Sequence, residues 1–503
     1  MSDVRYGDNA ANNAKTDPIK HVVLLLMENH SFDQMLGSLD AVHKGLDGIK
    51  NGQGKINDDG HGKSYRLKET QERQMKLDPQ HDHRDVLKQL EGDNGGFVRN
   101  FVYHYPRSTQ AQRQDIMGYY PLDFLPALHT LGRQFTICDQ WFSSLPGPTW
   151  PNRFFALSGT SMGEVDMPDG INALEPKWYT EQKQETIFDR LNEKQKSWKV
   201  YFYDFPASLL LVNQRKPENL KNYCLFKQFF EDTAGDASAF PEFVLIEPKY
   251  FGQAQNDDHP PHNIMKAEKL IADTYNAIRS NPKLWETTLL VVLYDEHGGF
   301  FDHVVPPADA TPPDEHPSAF PFRQLGVRVP AILVSPWCEP HPCHERFDHC
   351  SLLKYLQDKW ELGPLGARTA NAASIGVAIQ SGAMARSGTP PFIRVSNQSL
   401  IPKFPELERR TSNPHEQGLH WFADYLFAEL DKAGANAMDT VTKLARRNTA
   451  WVRMTGALGY ALVIVGHWVS KGFFAAKSAR EIHTEKAFDR LRESRGLNGL
   501  PRD

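Results

Sequence analysis

The stretch Thr288–Pro307, TLLVVLYDEHGGFFDHVVPP, decides how the rest of the chain is read. Leu289 to Tyr294 is an unbroken apolar and aromatic run, closed by Gly298 and Gly299. A run of that length reads as a strand buried on both faces. At its end stand Asp295, Glu296 and His297, with His303 beyond. Two adjacent carboxylates at the end of a buried strand are hard oxygen ligands, and a divalent cation would let both stay ionised in a partly dry site. Taken alone, the pair fits a solvated charged turn as well. The two glycines, suited to a close backbone approach, favour a built site.

His21–Met27, HVVLLLM, repeats the pattern and ends in Glu28, Asn29, His30, Ser31, Phe32 and Asp33. Ligands of open α/β sheets bind outside the carboxyl ends of the strands. Two strands that both end in oxygen donors therefore predict one divalent metal ion held between Glu28, Asn29, Asp295 and Glu296.

Strand-length runs at Phe135–Cys138, Trp198–Phe205, Phe243–Ile246 and Val327–Ser335 alternate with helix-period segments, which makes the class α/β. Leu122–Arg133, with Phe124, Leu128 and Leu131 on one face, predicts a short helix carrying Pro126 in its first turn. Ile264, Ala267, Ile271, Tyr275 and Ile278 mark a longer one that feeds the Asp295 strand. Lys216–Asp236 reads as a charged cover. Asn413-Pro414-His415-Glu416 supplies an N-cap, an N1 proline and a capping-box acid, with Leu419, Phe422, Leu426 and Leu430 as the apolar face that follows. These textures divide the chain into an α/β part, 18–410, and a helical C-terminal region, 411–503.

Three polar loops carry further candidates. Pro146-Gly147-Pro148 fixes a turn before Thr149, which then stands where a helix begins, with Pro151 in the first turn. A hydroxyl there sees free N–H groups and the positive end of the helix dipole, a seat for a nucleophile or for a plain N-cap. Leu77–His83 and Asn256–His262 are proline-stiffened loops rich in Asp and His.

The chain has 503 residues, 40% hydrophobic and 24% charged, with a net charge of -5, so nothing marks a nucleic-acid surface. Five cysteines lack metal-finger spacing; a Cys338–Cys343 or Cys343–Cys350 bridge stays open. The first 20 residues show no basic region followed by an apolar one, so no export signal is read there. Near the other end, TGALGYALVIVG (455–466) is extended by HWVSKGFFAA (467–476), with His467, Ser470 and Lys471 as polar breaks; Arg446, Arg447 and Arg453 precede it, and Lys471, Lys477 and Arg480 are the cations after it. The uninterrupted part is short of the ~18 residues of a span. A membrane-seeking segment and a packed helical hairpin both fit it.

Read together, MENHSFDQMLG, PGPTWPNRFFALSGTS, NDDHPPHN and YDEHGGFFDHVVPP resemble the phosphoesterase family of bacterial phospholipases C, plant non-specific phospholipases C and related bacterial acid phosphatases. The resemblance implies an alkaline-phosphatase-like three-layer sandwich around a central, mostly parallel sheet. It implies one metal ion on Glu28, Asn29, Asp295 and Glu296, with Thr149 as nucleophile. It further implies His259 as the proton donor to the leaving alcohol, His81 on the phosphoryl oxygens, and Asn152 and His349 as substrate-binding residues. The expected reaction is phospholipase C hydrolysis of a glycerophospholipid at a membrane surface through a phosphothreonine. A broad acid phosphatase and an inactive membrane-binding scaffold are the alternatives. The expected location is cytoplasmic or membrane-associated, or outside the cell by a dedicated secretion machine.

Overall fold

The computed structural model describes residues 17–168, 175, 177–252, 254–314, 318–380, 385–405 and 413–426. Eight strands form the central sheet: β1 (His21–Met27), β2 (Thr136–Cys138), β3 (Trp198–Phe202), β4 (Tyr223–Leu225), β5 (Phe243–Glu247), β6 (Thr288–Tyr294), β7 (Ala331–Val334) and β8 (Pro342–Cys343). Their order is β8-β2-β7-β6-β1-β5-β3-β4. β1 lies between β5 and β6, parallel to both. β7 is antiparallel to β6 and to β2, and the remaining pairs are parallel. The sheet is thus mixed and largely parallel, as the resemblance implies.

Every residue of β1 and of β6 is buried, so helices must cover both faces of the sheet. Five helices matter below: α1 (Leu128–Gln134), α2 (Thr149–Ser158), α3 (Ile264–Arg279), α4 (Cys350–Trp360) and α5, residues 414–426. The predicted face of α3 is buried at all five positions, and Asn263 caps the helix by accepting from the Met265 N–H.

Several boundaries differ from the sequence reading. The helix expected over Leu122–Arg133 begins only at Leu128, because its N-terminal N–H groups at Ala127 and Leu128 are met by the Glu268 carboxylate from α3, beyond Pro126. Lys216–Asp236 is more than a cover: it contains the edge strand β4 and the helix Phe226–Ala234. The loop after β7 contains β8, two residues too short to show a period. All five cysteines are free; Cys343 faces Cys138 across β8 and β2, not Cys338 or Cys350.

At residue 413 the expected N-cap is present, followed by Pro414 in the first turn of α5. The Asn413 side chain accepts from the Glu416 N–H at 2.7 Å. Leu419, Phe422 and Ala423 are buried in the main core, where Phe422 stacks on Tyr179 and lies under Arg215. The segment 455–476 and most of 411–503 lie outside the described residues. No described helix is long and apolar enough to cross a membrane.

Candidate active site

β1 and β6 end side by side, Met27 opposite Tyr294. Backbone bonds carry the pairing past the strands: Asp295 N–H donates to Met27 O, and His30 N–H to Glu296 O, both at 3.1 Å. Asn29 takes a left-handed φ of 62° in this crossing, the strained geometry that collects at functional sites. Gly298 has φ +64°, and a Cβ there would stand 2.1 Å from Asn29 O. Only glycine lets the two strand ends approach so closely.

The Asn256–His262 loop reaches the same end, since Glu28 N–H donates to Asp257 O at 2.9 Å. Asp257 Oδ1 holds His262 Nδ1 at 2.5 Å, and Asp258 Oδ2 accepts from the Tyr294 hydroxyl at 2.6 Å.

All nine residues singled out in the sequence are buried around this crossing. A chain of contacts joins four of them. The Thr149 hydroxyl lies 3.4 Å from Asn29 Oδ1. Asn29 Nδ2 lies 3.2 Å from His81 Nε2, and the His81 and His259 rings stand 5.4 Å apart, edge to face. Thr149 is the first residue of α2, not its cap. Pro148 occupies the cap position and offers no side-chain bond. The helix end therefore keeps free N–H groups beside the Thr149 hydroxyl.

Two expected substrate contacts are engaged by the protein itself. Asn152 Nδ2 donates to Gly147 O at 2.9 Å and to Pro148 O at 3.2 Å, while its Oδ1 accepts from the Leu145 N–H. It fastens the turn that delivers Thr149. His349 Nε2 meets Asp295 O at 2.6 Å, and its Nδ1 accepts from the Trp141 indole. It fixes the backbone at the end of β6. Both are placed to position other groups.

Arg153 is the residue whose role the sequence did not announce. One turn beyond Thr149 on α2, its Nε donates to Asp295 Oδ2 at 2.8 Å, and Nη1 donates to the Tyr250 hydroxyl. Nη2 lies 3.1 Å from Glu28 Oε1, an ion pair without the alignment of a hydrogen bond. The i, i+4 spacing from Thr149 was the available signal; its value depends on where α2 docks.

Burial shapes the protonation states. It raises the Glu28 carboxyl well above the ordinary range and pushes Asp295 up to about 7, although Arg153 pulls both the other way. For His81 burial favours the neutral ring, but the charges of Glu296 and Asp78 outweigh it and raise its pKa to about 9. His259 is driven well below the usual histidine value, by burial first and then by His81 and His262. Its Nδ1 bonds Pro260 O at 2.6 Å, and its buried Nε2 has no hydrogen-bond partner.

Whether a cation fits here can be judged from unsatisfied atoms. Both Glu28 carboxylate oxygens and Glu296 Oε1 are buried without a hydrogen-bond partner, the condition a bound cation relieves. Another group is more tightly drawn together: Asp33, Asp302 and His303 bring three ligand atoms within 4.8 Å of one another, closer than Glu28, Asp295 and Glu296 do. That group is already neutralised. Arg328 Nε donates to Asp302 Oδ1 at 2.8 Å and its Nη2 to Asp33 Oδ1 at 3.0 Å, while His303 Nδ1 meets Asp33 Oδ2 at 2.8 Å. No oxygen of Asp33 or Asp302 is left unpaired. The donors at the strand ends fit a divalent metal; the Arg328 network fits a structural ion cluster.

The phosphoesterase family model matches residues 19–363, which include Glu28, Asn29, His81, Thr149, His259, Asp295 and Glu296. The chain belongs to the phosphoesterase family. This phosphoesterase, a phosphoric ester hydrolase, is similar to non-specific phospholipase C3 of Arabidopsis thaliana, 33% identical over 380 residues that cover 69% of the chain and 71% of the relative. Non-specific phospholipase C5 of the same plant is 34% identical, covering 64% and 65%. Phospholipase C B of Mycobacterium tuberculosis is 30% identical over 412 residues, covering 71% and 75%. The phosphoesterase thus spans roughly two thirds to three quarters of these relatives.

Proposed function

We propose that this phosphoesterase is a phospholipase C, cleaving a glycerophospholipid to diacylglycerol and a phosphorylated headgroup. The observation that carries the reading is the meeting, at one sheet end, of an uncapped helix N-terminus bearing the Thr149 hydroxyl with unsatisfied buried carboxylate oxygens. The names of the relatives supply the substrate class.

In this reading Glu28, Asn29, Asp295 and Glu296 hold one divalent metal, with Arg153 fixing Asp295 and Glu28. Such an ion, when bound, supplies positive charge for the phosphoryl oxygens and lowers the pKa of a neighbouring hydroxyl. Thr149 Oγ1, having released its proton to solvent, attacks phosphorus, forming an O–P bond as the bond to the diacylglycerol oxygen breaks. The free N–H groups of α2 and the His81 ring serve the charge on the phosphoryl oxygens. His259 is neutral in the free protein; an anionic phosphodiester beside Nε2 raises its affinity for a proton, which it passes to the departing alkoxide. Water, deprotonated by the same nitrogen, then releases the headgroup phosphate from Thr149. Asn152 and His349 keep Thr149 and Asp295 in place.

The test is turnover of phosphatidylcholine vesicles against p-nitrophenyl phosphate by one preparation, with and without chelator. Preference for the lipid, lost on chelation and restored by metal, supports the reading. A preparation that turns over only the soluble monoester is instead a phosphatase.

A further inference from the structure

His415 lies outside the family match, in the first turn of α5, yet its side chain enters the active site. It is 1% exposed, and neither ring nitrogen has a hydrogen-bond partner. Its Nε2 stands 3.5 Å from Glu28 Oε1, an oxygen that also lacks one. The ring is held by aromatic contacts alone, 4.7 Å from Tyr250 and 6.5 Å from Trp150 between centroids. The docking of α5 is close: a Cβ on Gly418 would stand 2.7 Å from the Trp150 ring. Asn413 caps the helix and Leu419 and Phe422 bury it, so the position of His415 is fixed from both sides.

A buried imidazole without any hydrogen bond is costly. A direct Glu–His hydrogen bond would close to about 2.8 Å. At 3.5 Å the two atoms face each other without a hydrogen bond, and the Glu28 oxygen has only the ion pair with Arg153 Nη2 at 3.1 Å. An imidazole nitrogen and a carboxylate oxygen sharing one cation, each at about 2.1 Å, stand roughly 3–3.5 Å apart. We infer that His415 Nε2 is a ligand of the divalent metal bound by Glu28, so that a residue from beyond the family-matched region completes the metal site. The inference rests on the metal reading given above. It also adds nitrogen to a donor set otherwise made of oxygens, which favours a transition metal over magnesium or calcium.

The nitrogen makes the test direct. The full chain is loaded with Mn²⁺ and its electron spin-echo spectrum is recorded for coupling to ¹⁴N, beside metal titration of the same samples. The wild type should show imidazole nitrogen. His415→Gln should lose it and bind manganese about tenfold or more weakly, whereas His81→Gln should keep it. His415→Ala, which leaves space, should regain the signal with added imidazole. Manganese bound through oxygen alone, or a nitrogen signal that survives in His415→Gln, overturns the assignment of His415 and leaves the metal reading standing. No manganese bound by the wild type overturns both.

Discussion

Arg153 Nε donates to Asp295 Oδ2 at 2.8 Å from the helix turn that follows Thr149. One helix thus carries both the proposed nucleophile and the cation that holds a proposed metal ligand. Both partners are buried, so removing the guanidinium leaves carboxylates uncompensated, at a cost of about 3–5 kcal/mol. Arg153→Ala should lower the urea midpoint accordingly and abolish turnover. Arg153→Lys should recover part of the stability and little of the activity, because a single ammonium cannot reach Asp295, Glu28 and the Tyr250 hydroxyl together. An alanine variant as stable as the wild type would contradict this.

Thr149 does not cap its helix, so losing its hydroxyl should cost the fold little. Thr149→Val, close in shape, should unfold within about 1 kcal/mol of the wild type and show no phospholipid turnover. Thr149→Ser, which keeps the hydroxyl, should retain measurable activity. Activity persisting in the valine variant would remove Thr149 from the chemistry.

Stability against pH has an identifiable contributor where α3 meets α1. The Glu268 carboxyl, buried at the start of α1, is pushed up to about 8 by burial, against an ordinary 4.5. Between those values the folded state keeps a proton that the unfolded chain has lost. The stability it gives is therefore full below pH 4.5 and is lost as pH rises through 8, at about 1.4 kcal/mol per pH unit. Glu268→Gln removes that slope and keeps an acceptor for the Leu128 N–H. Urea unfolding at pH 5 and pH 8 should show the variant gaining on the wild type as pH rises. Parallel curves would contradict the assignment.

The two acidic clusters should separate experimentally. Asp302→Asn breaks the buried pairing with Arg328 and should destabilise by several kcal/mol, with metal content unchanged by elemental analysis. Glu28→Gln should do the reverse, losing metal with a smaller change in the urea midpoint. Loss of metal in Asp302→Asn would move the cation to the Arg328 network.

Much of this was legible in the sequence, for a physical reason. β1 and β6 are buried on both faces, so they appear as unbroken apolar runs, and the first polar residue after each is forced to the sheet end where ligands bind. Gly298 was legible because only glycine fits against Asn29 O. Residues whose meaning depends on docking were not. Asn152, a substrate-binding residue by resemblance, bonds the Pro146–Pro148 turn through its amide, and no local pattern shows that pairing. Arg153 had spacing and no address. His415 was visible only as part of a cap, because nothing local says that α5 packs against Trp150. The strand β8 and the late start of α1 depend on partners distant in sequence, Cys138 and Glu268, and carry no period of their own.

The central claim is a two-step transfer through Thr149, and the stereochemical course at phosphorus tests it most directly. A phospholipid made chiral at phosphorus with sulfur and oxygen isotopes is hydrolysed in labelled water, and the configuration of the released headgroup phosphate is determined. Two in-line displacements, first by Thr149 and then by water, predict net retention. Net inversion would mean that water attacks the lipid directly and that no phosphothreonine forms.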